Sequence, residues 1–322
     1  MKSKKSNLVP IFYACDDNFV KFTIVSMRSL IDNANSKRQY QLYVLNTGIS
    51  DAMINKTKAL ETDNVKISFV DVRNYLEKIS NKLPIRDYYT KTTYFRLFIA
   101  EMYPEYDKAL YVDSDTVFLG DVSKLYDTDI KDNYVAACHE QVMVQTDVFG
   151  NYVEKVLGIK RNNYFNAGIL LINCTAFREK QILDKFIGLL GVYNFVVTQD
   201  QDYLNVLCHN KVYWLHQGWN TEVYGDIPVA KKDIKILHYI MVSKPWHYPD
   251  CRLKEYFWEY AKKTVVYEEI LEGLNRYTDE KRSNDKLSCE RLAEIAQNES
   301  DRVDRFVNKL YMRWRDVKTS RT

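Results

Sequence analysis

An α/β fold built on a mostly parallel central sheet, with a helical C-terminal appendage, is the architecture this sequence predicts. Three observations predict it. Apolar strand-like runs alternate with helix-like stretches from the N-terminus onward, the pattern of a parallel sheet covered on both faces. Acids, amides and a histidine gather at strand ends, as Asp16/Asn18, Asp113/Asp115 and His238, which is where open α/β sheets bind ligands. Hydrophobic residues make up 46% of the 322, against 10 Gly and 6 Pro. That balance suits one large core and argues against a long disordered linker.

The elements run in order along the chain. Val9–Cys15 is an apolar run closed by Asp16-Asp17-Asn18, and reads as a buried strand. Phe22–Leu30 reads as a helix, and Gln41–Leu45 as a second strand closed by Asn46-Thr47-Gly48. Ser50 is placed to N-cap a helix running to Leu60. Val65, Ile67 and Phe69 alternate with polar neighbours, giving a third strand. A helix is expected over Thr93–Met102, stopped near Pro104, and then a strand over Lys108–Val112 that runs into Asp113-Ser114-Asp115. Tyr134–Cys138 and Gly168–Ile172 read as strands, Ile182–Leu190 and Gln201–Leu207 as helices, and Ile234–Tyr239 as a last strand before Lys244-Pro245-Trp246.

Composition sets limits on function. The six cysteines are scattered, without C-x-x-C or zinc spacing, and read as small core residues in a reducing compartment. The stretch after the basic Met1–Ser6 meets Asp16 and Asp17 too soon for a signal sequence, and no run reaches membrane-span length. A cytoplasmic protein is therefore expected. Net charge is +3, but Arg302 to Arg321 carries seven Arg/Lys against two Asp, so the rest carries −2. That distribution is not a nucleic-acid footprint, and no nucleic-acid partner is expected. The 25 tyrosines suit clefts that stack on sugars or bases, although a compositional bias explains them equally well.

Chemistry concentrates in a few places. Asp113 and Asp115, at i and i+2 past a strand, can reach one hard cation such as Mn²⁺ or Mg²⁺ together. The plainer reading is a solvated strand end with two acids. The same D-x-D-x-T pattern also opens haloacid-dehalogenase-like phosphatases, where Asp113 would attack phosphorus and Asp115 would serve as acid and base. The next acids, Asp121 and Asp127, come too early for that family's later motif. His238 offers an imidazole nitrogen to complete a cation's shell, and Lys244 a charge for phosphate, against the plainer reading of a structural histidine. Gln199-Asp200-Gln201-Asp202 can hold sugar hydroxyls, or simply complement a helix dipole. Asn166-Ala167-Gly168 sets an amide beside small residues that let a ligand approach the backbone, or is only a strand entry.

Taken together these residues resemble glycosyltransferase family 8, which includes bacterial lipooligosaccharide galactosyl- and glucosyltransferases and glycogenin. The resemblance spans Val9 to Trp246. It rests on Phe12–Asn18, Tyr94-Phe95-Arg96-Leu97, Leu110–Asp115, Tyr164–Gly168, Gln199–Asp202, and His238 with Lys244-Pro245-Trp246, in that order. It implies a GT-A fold and transfer of a hexose, galactose or glucose, from UDP to a glycan on lipid or protein, with retention. It implies that Ala14, Asp16 and Asn18 hold uridine, with Arg96 near the diphosphate or sugar. Asp113, Asp115 and His238 would ligate Mn²⁺, with Ser114 between the acids in the same binding segment. Asn166, Ala167, Asp200 and Gln201 would line the donor sugar, and Lys244 would bind the β-phosphate. No second carboxylate stands out as a nucleophile, so a front-face, ion-pair-like displacement is expected, with Gln201, Asp200 and Arg96 as the catalytic set and Gln201 stabilising. Self-glycosylation of a tyrosine and a non-catalytic sugar-nucleotide binder are the remaining alternatives. One departure stands out: relatives often carry glycine three residues after the histidine, where this chain has Met241.

The expected division is a catalytic domain over 1–270 and a helical, basic, amphipathic tail over 271–322. Val303, Phe306, Val307, Leu310, Tyr311, Trp314 and Val317 fall at helical spacing. Such a helix can lie on the inner face of an anionic membrane or pack against protein.

Overall fold

In the computed structural model, residues 7–73, 77 and 91–309 are described. Seven strands form the main sheet in the order β3-β2-β1-β4-β7-β6-β8. They are β1 (Leu8–Ala14), β2 (Gln39–Asn46), β3 (Val65–Asp71), β4 (Lys108–Val112), β6 (Val135–Ala137), β7 (Ile169–Asn173) and β8 (Val212–Trp214). Only β7 runs against its neighbours, β4 and β6; the other pairings are parallel. A small second sheet orders β5 (Thr116–Phe118), β10 (Ile236–His238) and β9 (Thr221–Glu222) as β5-β10-β9.

The central strands are apolar on both faces because both faces are covered. Val9, Ile11, Phe12 and Tyr13 of β1 and Ala109 to Val112 of β4 are fully or almost fully buried. Helix α1 (Val20–Asp32) covers one face, and α2 (Asp51–Lys58) ends two residues short of the expected Leu60. Ser50 precedes α2 but its side chain does not cap it. Its backbone N–H and hydroxyl instead donate to Asp17 Oδ1, each at 2.9 Å, tying the loop after β2 to the loop after β1.

Three other points need adjustment. The single helix over Thr93–Met102 is a 3-10 segment, Lys91–Leu97, with one α turn after it, Ile99–Met102. The tight 3-10 winding puts Tyr94, Phe95 and Arg96 into the interior. β5, β8 and β9 were not anticipated, being two or three residues long. The helix expected from Gln201 begins at Asp200. After α3 (Gln141–Gln145), α4 (Asp147–Tyr152), α5 (Ile182–Leu190) and α6 (Asp200–Leu207), the chain closes with α7 (Tyr267–Asn275) and α8 (Asp279–Asp301).

Helix α8 packs on α4, with Leu292 and Ala296 buried. Beyond it Phe306 is buried edge-on against Tyr193 and Phe195, and Val307 lies over Gly158. The start of the expected apolar stripe thus packs on the body of the protein, while Val303 is 82% exposed. The remainder, from Leu310, lies outside the described residues, as does Met1–Ser6. No helix among the described residues is long and apolar enough to cross a membrane.

Candidate functional site

The strand ends open on one cavity of about 390 Å³. Of the residues singled out from the sequence, Ala14, Asp16, Arg96, Asp113, Ser114, Asp115, Asn166, Asp200, Gln201, His238 and Lys244 line it. Ala167 belongs through its backbone: its N–H donates to Gln201 Oε1 at 2.8 Å and its carbonyl accepts from Arg96 Nη1. Asn18 is exposed and is not part of the lining.

At its centre Asp113, Asp115 and His238 offer ligand atoms within 4.8 Å of one another. β4 delivers the two acids from one side. β10, paired with β5 in the second sheet, delivers His238 from the other. Each carboxylate commits one oxygen to the protein. Asp113 Oδ1 accepts from Tyr111 Oη at 2.8 Å and from Arg96 Nη2 at 3.2 Å. Asp115 Oδ2 accepts from Lys244 Nζ at 2.5 Å. The other oxygens face the imidazole: His238 Nε2 is 3.1 Å from Asp115 Oδ1 and 3.8 Å from Asp113 Oδ2. Burial would raise the Asp115 carboxyl, but Lys244 and His238 outweigh it and hold the group below the usual carboxylate range.

The tautomer of His238 is fixed by its neighbours. The backbone N–H of Gly168 donates to Asn166 Oδ1 at 2.8 Å, which orients that amide. Asn220 then presents its Nδ2 to the same oxygen, at 2.8 Å, and its Oδ1 to His238 Nδ1, at 3.0 Å. Nδ1 therefore carries a proton. Nε2 is left facing two carboxylate oxygens, an arrangement that needs either a second proton or a shared cation. Gly168 makes the approach possible: a Cβ there would lie 2.3 Å from His238 Cε1 and 2.6 Å from Asp113 Oδ2. The donor set of two carboxylates and an imidazole fits a divalent cation such as Mn²⁺.

Beside this corner Arg96, 5% exposed, ties the acids together. Its Nε donates to Thr93 O at 2.9 Å and lies 3.0 Å from Asp200 Oδ2. The second contact is charge proximity rather than an aligned hydrogen bond, since Asp200 Oδ2 has no hydrogen-bond partner among the described residues. Burial pushes the Asp200 carboxyl up to about 7; Arg96 opposes the rise and Asp113 adds to it. Asp202, the last residue of the Gln199–Asp202 stretch, turns inward and accepts from Tyr152 Oη and Tyr164 Oη, at 2.8 and 2.7 Å. It braces the helix start that aims Gln201.

Met241 keeps the left-handed backbone, φ 55°, that glycine adopts without strain. With Met at this position, Lys244 still reaches the cavity. Sequence reasoning missed Tyr111, Glu140, Asn220 and Glu222. It also placed no site residue beyond Trp246, whereas His247, Asp285 and Leu292 line the cavity. Glu140 and Glu222 sit in short, pattern-poor segments, and only the folded chain brings Glu140 to Asn166 and Gln201 and Glu222 to the Gln141 N–H.

Comparison with known proteins gives the family and the fold. The profile of glycosyl transferase family 8 matches residues 10–250. A putative glycosyltransferase from Haemophilus influenzae is 31% identical over 258 residues, 75% of this chain and 74% of that one. The lipopolysaccharide glucosyltransferase WaaO of Escherichia coli is 26% identical over 287 residues, 83% of this chain and 79% of that one. The crystal structure of the galactosyltransferase LgtC with donor and acceptor sugar analogues superposes with a TM-score of 0.67 at 26% identity, covering 83% of this chain and all of that one. The fold is thus of the GT-A type, and the phosphatase alternative for Asp113 falls away, because the family match runs straight across Asp113 and Asp115. With a profile match over most of its length and an ordered set of strand-end residues around one cavity, this chain belongs to glycosyl transferase family 8.

Proposed function

We propose that the protein is a retaining hexosyltransferase. It takes a UDP-hexose, galactose or glucose, and delivers the sugar to a glycan acceptor on lipid or protein with the help of Mn²⁺ or Mg²⁺. The observation that carries this reading is the corner made by Asp113, Asp115 and His238, held open by Gly168 within the cavity. The cation held there would offset the charge that builds on the departing diphosphate. Lys244, mostly buried and beside Asp115, adds charge stabilisation to the same group without moving a proton. Ala14 and Asp16, which line the cavity, are assigned to the uridine. Asn166, Ala167, Asp200 and Gln201 are assigned to the hexose, with Arg96 between hexose and diphosphate. Gln201, anchored by the Ala167 N–H, stabilises the reacting face rather than attacking it.

The division into a catalytic domain over 1–270 and a helical tail over 271–322 belongs to the same reading. So does a reversible membrane contact by the tail, whose basic residues suit an anionic surface at about 1 kcal/mol each. The test is a thermal-shift screen of UDP-sugars with and without Mn²⁺, and then hydrolysis assays on each hit. Binding of a UDP-hexose that needs the cation, with slow release of UDP and hexose, is expected. Full turnover in excess chelator, or a trapped phosphoenzyme on Asp113, would sink the proposal.

A further inference from the structure

The family profile ends at residue 250, yet the cavity has a wall beyond it. Asp285 and Leu292, both on α8, line the cavity together with His247. The two lie two helical turns apart, so α8 runs along the cavity for about 10 Å. Toward its C-terminal end Leu292 and Ala296 are buried, where the helix packs on α4. Toward its N-terminal end Arg282 and Asp285 meet the turn that carries Lys244.

The contacts at that end are specific. Tyr248 Oη and Tyr277 Oη both donate to Asp285 Oδ2, at 2.9 and 2.7 Å. Tyr277, just before α8, lies flat on His247, with ring centroids 3.9 Å and planes 10° apart. Arg282 Nη2 donates to the His247 carbonyl at 3.3 Å. The backbone passes this hold on to Lys244, whose carbonyl accepts from the N–H groups of His247 and Tyr248, at 3.0 and 2.9 Å.

Other anchors on the turn leave a freedom that these contacts remove. Trp246 is buried flat on Phe22, with centroids 4.0 Å apart, and fixes one point. The backbone can still pivot about that ring. Lys244 Nζ donates to Asp115 Oδ2 at 2.5 Å and to the Tyr239 carbonyl. Those bonds hold the tip of a flexible side chain of about four carbons, not the backbone that carries it. The hold from α8 is a second fixed point on the backbone, and two points stop the pivot.

We propose that Asp285 is a positioning residue for the donor diphosphate: by gathering Tyr248 and Tyr277 it fixes the backbone that carries Lys244. The first turns of α8 are then part of the donor site. They serve the diphosphate rather than the nucleoside, because the phosphates are what Lys244 meets. The inference rests on the transferase reading for what Lys244 meets, but not for how the turn is held.

The test uses the full chain with the variants Asp285→Leu, Asp285→Asn and Lys244→Ala. Leucine removes the acceptor at similar size, whereas the amide oxygen of asparagine still accepts both hydroxyls. UDP and uridine are the probes, titrated with Mn²⁺ present. Asp285→Leu should weaken UDP at least about tenfold, the scale of one charge-assisted hydrogen bond, and uridine less than about twofold. Asp285→Asn should restore UDP affinity to within about threefold of wild type. Added to Lys244→Ala, Asp285→Leu should weaken UDP by no more than about a further twofold, because its effect runs through Lys244. Without any ligand, amide hydrogen exchange at His247 and Tyr248 should quicken at least about tenfold in Asp285→Leu and stay near wild type in Asp285→Asn. If Asp285→Leu does not fold, Tyr248→Phe with Tyr277→Phe removes both hydroxyls, keeps the stack on His247 and carries the same expectations. Equal losses of UDP and uridine, additive losses with Lys244→Ala, or unchanged exchange at His247 and Tyr248 overturn the proposal. Failure of wild type to bind UDP overturns the transferase reading instead, and the exchange rates still decide whether Asp285 holds the turn.

Discussion

At Gly168 one missing methyl group decides whether Asp113 and His238 can approach one another. Gly168→Ala would drive a Cβ to 2.3 Å from the His238 ring, so the ring or the β7 entrance must move. A displacement near 1 Å at reacting groups costs about 100-fold in rate. Gly168→Ala should therefore lose Mn²⁺ binding by calorimetry and at least that factor in turnover, while the circular dichroism of the fold persists. Gln201→Ala tests the opposite face: turnover should fall far more than UDP-hexose affinity. Unchanged turnover with weakened binding would make Gln201 a ground-state contact. Residues of this kind were partly legible from sequence. Asp113, Asp115 and His238 could be singled out because they fall at strand ends, and the fold brings their ligand atoms within 4.8 Å of one another. Asn220 and Glu140 do not, because an amide or a glutamate near a turn is ordinary until the fold supplies its partners.

At the scale of elements, length and period were the legible signals. β4 and α5 fall on the expected residues, since one is a bounded apolar run and the other a full amphipathic turn pattern. β5, β8 and β9 are too short to show a period, and they exist because neighbouring strands present unpaired edges. The turn after β10 carries a measurable property. His247 stacks on Tyr277 with ring centroids 3.9 Å apart, and Tyr248 and Tyr277 both donate to Asp285 on α8. Burial lowers the His247 imidazole to about 4. The unfolded chain takes up this proton near the ordinary value of about 6.5, and the folded chain does not until about 4. Stability is therefore lost as pH falls through that window, by about 3 kcal/mol over its width. Urea titrations from pH 7 to pH 4 should show the loss, and His247→Phe should flatten it. An unchanged slope in the variant would move the acid sensitivity to another group.

The whole molecule joins the tail to the catalytic body more closely than the sequence suggested. Charge and spacing made the apolar stripe visible, but nothing local could say which part of it meets protein. Phe306 is buried against Tyr193 and Phe195, and Glu299 accepts from Tyr193 Oη at 2.9 Å. Truncation after Asn298 removes both, and should lower stability by about 3 kcal/mol, the scale of losing a buried phenylalanine. Truncation after Lys309 removes residues 310–322 alone. It should leave the melting temperature and UDP-hexose hydrolysis unchanged while abolishing salt-sensitive flotation with anionic liposomes. Equal flotation of full and shortened chains, or none by either, would remove the tail from any membrane role.

The run of hydrogen bonds from His238 to Glu140 has a bearing on how this enzyme can change through descent. Its members all donate one way, so no amide along it can be replaced by an acid, or acid by amide, without leaving two donors or two acceptors face to face. Single substitutions at Asn166, Asn220 or Glu140 should therefore be closed steps, and compensated pairs open ones, with coupling energies that depart from additivity. Sugar preference is then expected to drift more freely through residues that only touch the cavity, such as Val142, Met143 and Ile240, than through the polar groups proposed for the donor.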